Sequence, residues 1–277
     1  MSDALPRSSR PNKPLSPPFL KWPGGKRRLA QSIISLVPEK YNDYYEPFLG
    51  SGALFFALGP ARAFLSDRNS DLISAYKEVR NNPELLIARL RKFRNTERHY
   101  YTIRSARLRN EASKAARLIY LSRLSFNGIH RVNLRGEFNV PYGHKTHLPA
   151  CEPEVIRAAS QRLRKATIRA ADFEAAVSEA KTGDLVYLDP PYTTAHSNNG
   201  FVKYNARIFT WRDQERLANV ASRLARRGCS VIISNADHPS IRNLYKGFRA
   251  VKIARFSVIA ASRLYRRRIT ECVFSNT

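Results

Sequence analysis

One segment, residues 44–67, constrains the fold of this chain more than any other. A short strand at Tyr44–Glu46 leads into the loop PFLGSG, a short helix runs through Phe56, and a second strand from Ala63 delivers Asp67. Alternating strands and helices predict an α/β fold. A glycine loop after the first strand and an acid after the second are typical of the opening half of a nucleotide-binding sheet.

The alternation continues elsewhere in the chain. Apolar and β-branched runs predict further strands at 166–170, 185–188, 229–234, 251–256 and 269–274. A glycine-rich loop precedes a predicted helix at 29–37, and Thr210 with Asp213 predicts a helix start of the capping-box type. These elements favour an α/β chain built on one sheet.

The middle of the chain differs from the rest in composition and periodicity. Helical periodicity and dense arginine dominate residues 69–126, and alternating apolar residues predict a hairpin at 127–143. We therefore divide the chain into a disordered basic tail at 1–18, a sheet-containing domain at 19–72 and 151–277, and an inserted, mostly helical basic subdomain at 73–150.

The charge limits the kind of partner. The 48 Lys and Arg residues against 22 Asp and Glu residues give a formal charge of +26, which favours a polyanion such as nucleic acid. A generally basic protein without such a partner is the alternative. No apolar stretch approaches the length of a membrane span. The three widely separated cysteines, Cys151, Cys229 and Cys272, predict no disulfide framework and fit a reducing cytoplasm.

The tetrapeptide Asp189-Pro190-Pro191-Tyr192 directly follows the apolar run LVYL. Two prolines end strand pairing and fix the backbone, so a carboxylate and an aromatic ring are held at the carboxyl end of a strand, where α/β sheets bind ligands. This arrangement suits a flat base with an exocyclic amine. The alternative is a Pro-Pro turn in which Tyr192 only packs.

The glycine loops exclude two common nucleotide sites. Phe55 stands where a dinucleotide fingerprint has its third glycine, and Arg27 stands where a P-loop has Ser or Thr. What remains is a nucleoside-type site in which Asp67 accepts hydrogen bonds from ribose hydroxyls. Glu46 either binds an ammonium group of the cofactor or faces solvent. His144, His147 and Cys151 have a metal-like spacing but lack a fourth partner, so we expect no metal.

Five motifs carry a resemblance to a known family. They are KWPGGK at 21–26, EPFLGSG at 46–52, DRNSDLI at 67–73, NGIHRVNLRGEFNVP at 127–141 and DPPY at 189–192. Their order and spacing resemble those of the Dam-type, D12 class DNA adenine-N6 methyltransferases, from about Phe19 to Phe274. The resemblance implies a Rossmann-like S-adenosylmethionine-dependent methyltransferase sheet, with 73–150 as an inserted, mostly helical DNA-recognition subdomain.

The resemblance also implies roles for individual residues. It places the catalytic contacts to a flipped adenine at Asp189, Pro190 and Tyr192. Together with the glycine-loop argument it gives the cofactor-binding set Trp22, Lys26, Glu46, Gly50, Gly52, Asp67, Asp172, Phe173 and Asp189. It places DNA contacts at Lys21, Phe126, Asn127, Ile129, Arg131, Asn133 and Pro141. For Asp172 and Phe173, an ordinary helix start with Asp172 as N-cap is the alternative.

The predicted activity is methyl transfer from S-adenosylmethionine to adenine N6 in double-stranded DNA, and the likeness of the 127–141 hairpin suggests the site GATC. We expect a monomer that acts in the cytoplasm, at the DNA. Two alternatives stay open: a DNA-binding relative without activity, and a methyltransferase that acts on RNA or on a protein amide.

Overall fold

The computed structural model describes residues 16–133, 135–193, 209–256 and 268–277. Within them the backbone forms a seven-stranded sheet in the order β3-β2-β1-β4-β5-β7-β6. The strands are β1 Tyr44–Glu46, β2 Ala63–Asp67, β3 Ala166–Ala170, β4 Leu185–Leu188, β5 Ser230–Ala236, β6 Arg249–Phe256 and β7 Arg268–Ser275. Strand β7 is antiparallel to β5 and β6, and the other pairs are parallel. The predicted α/β class with a Rossmann-like sheet is confirmed.

The helices are α1 Ala30–Ile34, α2 Ala53–Leu58, α3 Ser70–Asn81, α4 Pro83–Arg91, α5 Glu97–Ser105, α6 Glu111–Leu124, α7 Pro153–Leu163, α8 Phe173–Ala176, α9 Trp211–Arg226 and α10 Pro239–Leu244, with a 3-10 turn at Phe126–Gly128. The predicted capping box is present: the Thr210 side chain accepts from the Asp213 N–H, and the Asp213 carboxylate accepts from the Thr210 N–H. Most of the predicted tail, residues 1–15, lies outside the described residues, as does the segment 194–208 that follows the DPPY motif.

Several predicted boundaries differ from the structure. Strand β5 begins one residue later than predicted and continues to Ala236, β6 begins two residues earlier, and β7 is one residue longer at each end. Helix α1 ends at Ile34, three residues before the predicted end. The N–H groups of Leu36 and Val37 bond three residues back, so the chain tightens into a final turn there.

The strands carry two cores, one on each face of the sheet. Leu185 and Tyr187 of β4 belong to the core that also contains helix α3, whereas Val186 and Leu188 belong to the core that contains α9. Because side chains alternate along a strand, this explains why LVYL is apolar at every position. The run is a central strand that is buried on both sides.

The segment between β2 and β3 is mostly helical, as predicted. Helices α3, α4 and α6 contact one another, and their apolar residues share one buried cluster with the sheet residue Leu65. The predicted hairpin is reduced to two isolated bridges, Ser125 to Tyr142 and Val132 to Phe138. The division of the chain at residues 73 and 150 stays a prediction, because the helical segment and the sheet have a common core.

Candidate active site

The carboxyl ends of β1, β2 and β4 bring the three predicted site segments to one edge of the sheet. Strand β1 pairs with β2 on one side and with β4 on the other, so the order of the sheet reverses between β1 and β4. Open α/β sheets bind ligands at such a reversal. Glu46, Asp67 and Asp189 therefore lie at the ends of three adjacent strands, as the motifs predict.

Asp189 lies directly after β4 and is paired with Lys26. The Lys26 Nζ atom is 2.8 Å from Asp189 Oδ1, and the exposed fractions of the two side chains are only 6% and 15%. The same ammonium donates to the carbonyl of Gly24 at 2.8 Å. A charge-assisted contact of this kind ties the KWPGGK loop to the end of β4. The two predicted motifs thus form one site.

Tyr192 is held at both ends of its side chain. Its ring centroid lies 4.7 Å from Lys26 Nζ, and its hydroxyl donates to Glu271 Oε2 at 2.8 Å. Loss of solvation, reinforced by the charges of Asp189 and Glu271, raises the pKa of Tyr192 well above its ordinary 10.0, so the hydroxyl remains a donor at neutral pH. Glu271 lies on β7 and is buried. Sequence reasoning missed this residue.

The second proline of the motif is held from α9. Gln214 Nε2 donates to the Pro191 carbonyl at 3.2 Å, and Asn235 of β5 donates to Gln214 Oε1 at 3.0 Å. Both side chains are fully buried. Sequence reasoning did not identify this pair, although a glutamine one turn before Leu217 on the buried face of α9 was a usable signal.

The glycine loop requires its glycines. Gly50 and Gly52 have φ values of +47° and +64°, in the region that favours glycine. A Cβ atom at Gly50 would lie 3.1 Å from the Trp22 ring, and one at Gly52 would lie 2.9 Å from the Tyr76 hydroxyl. Asp67 Oδ2 accepts from the Gly50 N–H at 3.1 Å. Trp22 therefore packs directly on the glycine loop.

Burial controls the protonation of the two acids beside this loop. Desolvation raises the pKa of Asp67, and the backbone N–H groups of Asn69 and Gly50 oppose this shift. Glu46 is buried, with an exposed fraction of 3%, so the alternative in which it faces solvent is wrong. Burial raises the pKa of Glu46 to about 8, although the Tyr44 hydroxyl donates to its carboxylate at 2.8 Å.

Asp172 and Phe173 begin helix α8. The Asp172 side chain caps the helix by accepting from the Glu174 N–H, as the helix-start interpretation predicts, and also pairs with Arg216 Nη2 at 2.7 Å. The Arg216 guanidinium lies 4.2 Å from the Phe173 ring centroid, and Phe48 stacks on that ring. A role for the pair in cofactor binding stays a prediction.

The predicted DNA-contacting residues cluster around the bridges of the hairpin. Phe126 is 41% exposed, and its N–H bonds the carbonyl of Pro141. The adjoining Asn127 has a φ of +51°, an uncommon backbone conformation for a residue other than glycine. Arg131 is exposed, and its Nε donates to Asn139 Oδ1 at 2.8 Å.

The other predicted DNA contacts have structural surroundings of their own. The Asn133 side chain bonds the backbone N–H groups of Arg135 and Glu137, so it also shapes the turn. Ile129 packs against the main core, and the aliphatic part of Lys21 lies against Gly128. These contacts leave the predicted roles of the three residues untested.

His130, which sequence reasoning passed over, connects the hairpin to the glycine loop. Its ring stacks on Trp22 with centroids 4.4 Å apart and an interplanar angle of 25°. Burial lowers the pKa of His130 to about 4, so the ring is neutral at physiological pH. One face of Trp22 thus carries a residue of the predicted recognition hairpin.

In the described part of the chain, no group of three or more His, Cys, Asp or Glu side chains is arranged to hold a metal ion. Nor does any helix there have the length and apolar character needed to cross a bilayer.

Comparison with known proteins agrees with this geometry. A family model for the D12 class N6 adenine-specific DNA methyltransferases matches residues 22–259. The chain is 40% identical to a type II methyltransferase of Lactococcus lactis subsp. cremoris, over 94% of this chain and 95% of the relative. It is 33% identical to the DNA adenine methylase of Escherichia coli K12, over 86% of this chain and 87% of the relative.

A more distant organism supplies a similar match. A type II methyltransferase of Methanocaldococcus jannaschii is 32% identical over 85% of this chain and 90% of the relative. The family match covers strands β1 to β6, the helical segment between β2 and β3, and all five motifs except Lys21, the first residue of KWPGGK. The chain belongs to the D12 class of N6 adenine-specific DNA methyltransferases.

Proposed function

We propose that this enzyme transfers a methyl group from S-adenosylmethionine to N6 of an adenine within GATC in double-stranded DNA, after flipping that adenine into the site at Asp189. The observation that carries the proposal is the position of Asp189 and Tyr192 at the end of β4, beside Lys26 and next to the glycine loop. A carboxylate and an aromatic ring at one strand end suit an amine-bearing base.

The residues present fit this cofactor. The Gly50 backbone approaches the Trp22 ring so closely that a Cβ would fill the space between them, as expected where a loop cradles a nucleoside. The buried carboxyl of Glu46 would be stabilised in its ionised form by an ammonium group. Trp22, Glu46, Gly50, Gly52 and Asp67 would hold the cofactor, with Lys26, Asp172, Phe173 and Asp189 as further contacts.

When bound, S-adenosylmethionine supplies a methyl group already activated by the sulfonium charge. The chain must then align adenine N6 with that methyl group and make the nitrogen a better nucleophile. Asp189 and the Pro190 carbonyl would accept hydrogen bonds from the N6 protons, which favours a pyramidal nitrogen. These bonds strengthen as positive charge develops on N6, so they stabilise the transition state more than the bound substrate.

Tyr192 would offset the cost of extracting the base. A flipped adenine loses its stacking in the duplex, at a cost of a few kcal/mol, and stacking on an aromatic ring recovers part of it. The exposed Phe126, on a backbone held by Asn127 and Pro141, is suited to fill the space that the base leaves. Arg131 has the side chain that reads guanine by two parallel hydrogen bonds.

Support for GATC is the likeness of the hairpin at 127–141 to the Dam-type sequence. The names of two relatives, DNA adenine methylase and type II methyltransferase, agree with a DNA substrate. The three cysteines form no disulfide, in keeping with action on DNA in a reducing cytoplasm. We propose that the enzyme binds DNA as a monomer.

The test is transfer of a tritiated methyl group to duplex DNA with and without GATC, in competition with RNA and with protein. We expect incorporation only into adenine N6 of GATC duplexes. Asp189→Ala should abolish transfer and keep DNA binding. Asp184→Asn is the matched control, because Asp184 is a buried carboxylate that bonds backbone N–H groups at the other end of β4. Transfer to RNA or protein, or turnover by Asp189→Ala, would refute the proposal.

A further inference from the structure

We propose that Glu271 is a positioning residue of the methyl-transfer site, which fixes the Tyr192 ring and shares the Lys26 ammonium with Asp189. This inference rests on the proposed function. Glu271 lies on β7, 79 positions after Tyr192, and none of the five motifs contains it. Its partner on the neighbouring strand β5 is Ala236, the last residue of that strand, so β7 brings Glu271 to the edge where the parallel strands end.

The first contact is the hydrogen bond with Tyr192. The hydroxyl donates to Glu271 Oε2 at 2.8 Å, and Glu271 is only 1% exposed. A bond to a buried carboxylate on a central strand fixes the far end of the ring, while the two prolines fix its backbone end. A ring fixed at both ends presents one face to an incoming base with little rotational freedom to lose.

The second contact concerns charge. Lys26 Nζ is 2.8 Å from Asp189 Oδ1 and 3.9 Å from Glu271 Oε2, so one ammonium lies between two carboxylates. With Asp189 alone, the lysine would cancel the charge that the reacting nitrogen needs nearby. With Glu271 present, the formal charges of the three groups sum to −1.

This charge matters during the reaction. During transfer, positive charge would develop on adenine N6 and would be removed when that nitrogen loses a proton to solvent. A preorganised negative charge at that place lowers the barrier without a matching gain in ground-state binding. Glu271 therefore acts through Lys26 and Tyr192, and its removal should slow the chemical step more than it weakens binding.

The experiment measures single-turnover methyl transfer on duplex DNA, together with the Kd values for cofactor and DNA, in Glu271→Gln, Tyr192→Phe and the double variant. Glutamine keeps the size and an acceptor oxygen but removes the charge. We expect Glu271→Gln to slow transfer by about tenfold to a hundredfold, with both Kd values changed by less than about threefold. In the Tyr192→Phe background the same substitution should cost less, because the hydroxyl contact is already absent.

Asp184→Asn again serves as control: it alters another buried carboxylate and should lower stability without changing the rate of the folded enzyme. A Glu271→Gln rate within about twofold of the unsubstituted enzyme, additive effects in the double variant, or a loss explained by weaker binding would overturn the inference. If Glu271→Gln fails to fold, the Tyr192→Phe variant provides the test. It removes the same hydrogen bond by deleting the donor, and it must slow methyl transfer. Failure of the proposed function would look different: the unsubstituted enzyme would not methylate adenine.

Discussion

The buried carboxyl of Glu46 gives a prediction whose size follows from the structure. Burial raises its pKa from 4.5 to about 8, the Tyr44 hydroxyl bond opposes the shift, and the charge of Asp189 adds to it. Between these two values the folded protein keeps a proton that the unfolded chain has released. Stability from this group is therefore complete below pH 4.5 and is lost as the pH rises toward 8.

The magnitude is about 1.4 kcal/mol per pH unit inside that window. From pH 5 to pH 7 the contribution of Glu46 to the free energy of unfolding should fall by about 2 to 3 kcal/mol. Glu46→Gln removes the titration and keeps an acceptor for the Tyr44 hydroxyl. Between pH 5 and pH 7 the unsubstituted protein should therefore lose this much stability relative to the Glu46→Gln variant.

The assay is urea unfolding followed by circular dichroism at several pH values between 5 and 8. Taking the difference between two proteins cancels the titration of every other group. Glu39→Gln, at an exposed glutamate outside the site, is the matched control, and its difference is measured at the same pH values. A difference for Glu46→Gln that does not change between pH 5 and pH 8 would show that Glu46 ionises normally, and would refute the prediction.

Three further predictions concern the loops around the site. Gly52→Ala should cost about 1–2 kcal/mol of stability from the left-handed backbone alone, and more from the close approach to the Tyr76 hydroxyl, as measured by urea unfolding. The NMR signals of the His130 ring should titrate near pH 4. Because the pKa of His130 is lowered in the folded protein, the stability it contributes is present above pH 6.5 and is lost as the pH falls toward 4. A measured pKa near 6.5 would contradict the stacking of His130 on Trp22. Arg131→Ala should weaken binding to GATC by about 1–3 kcal/mol and binding to other duplexes much less, as measured by fluorescence anisotropy at fixed salt; equal losses would mark a phosphate contact instead.

The positions of the strands along the chain could be predicted from the sequence because each strand carries a local signal. LVYL before two prolines, and a strand before PFLGSG, identify β4 and β1 without any knowledge of tertiary contacts. The ends of elements were less predictable. Helix α1 tightens at Leu36 and strand β5 continues to Ala236 because of backbone bonds to neighbours that periodicity does not record.

Site residues could be predicted where they belong to one sequence motif. They could not be predicted where the fold brings residues that are distant in sequence together. Asp189 and Tyr192 could be identified in the sequence, but Glu271 reaches them through the pairing of β7 with β5. Gln214 reaches Pro191 from the buried face of α9, and His130 reaches Trp22 across the hairpin. Glu46 could be identified in the sequence as a site residue. Its burial could not be predicted, because it depends on how the sheet packs.

The chain as a whole is basic, whereas its candidate site contains several carboxylates. The chain as a whole carries +26, which suits a polyanionic duplex. The edge of the sheet, in contrast, holds Glu46, Asp67, Asp189 and Glu271, and Lys26 lies between the last two. A basic chain suits an extended polyanion, whereas the carboxylates at this edge of the sheet would suit a positively charged ligand or a positive charge that develops on one.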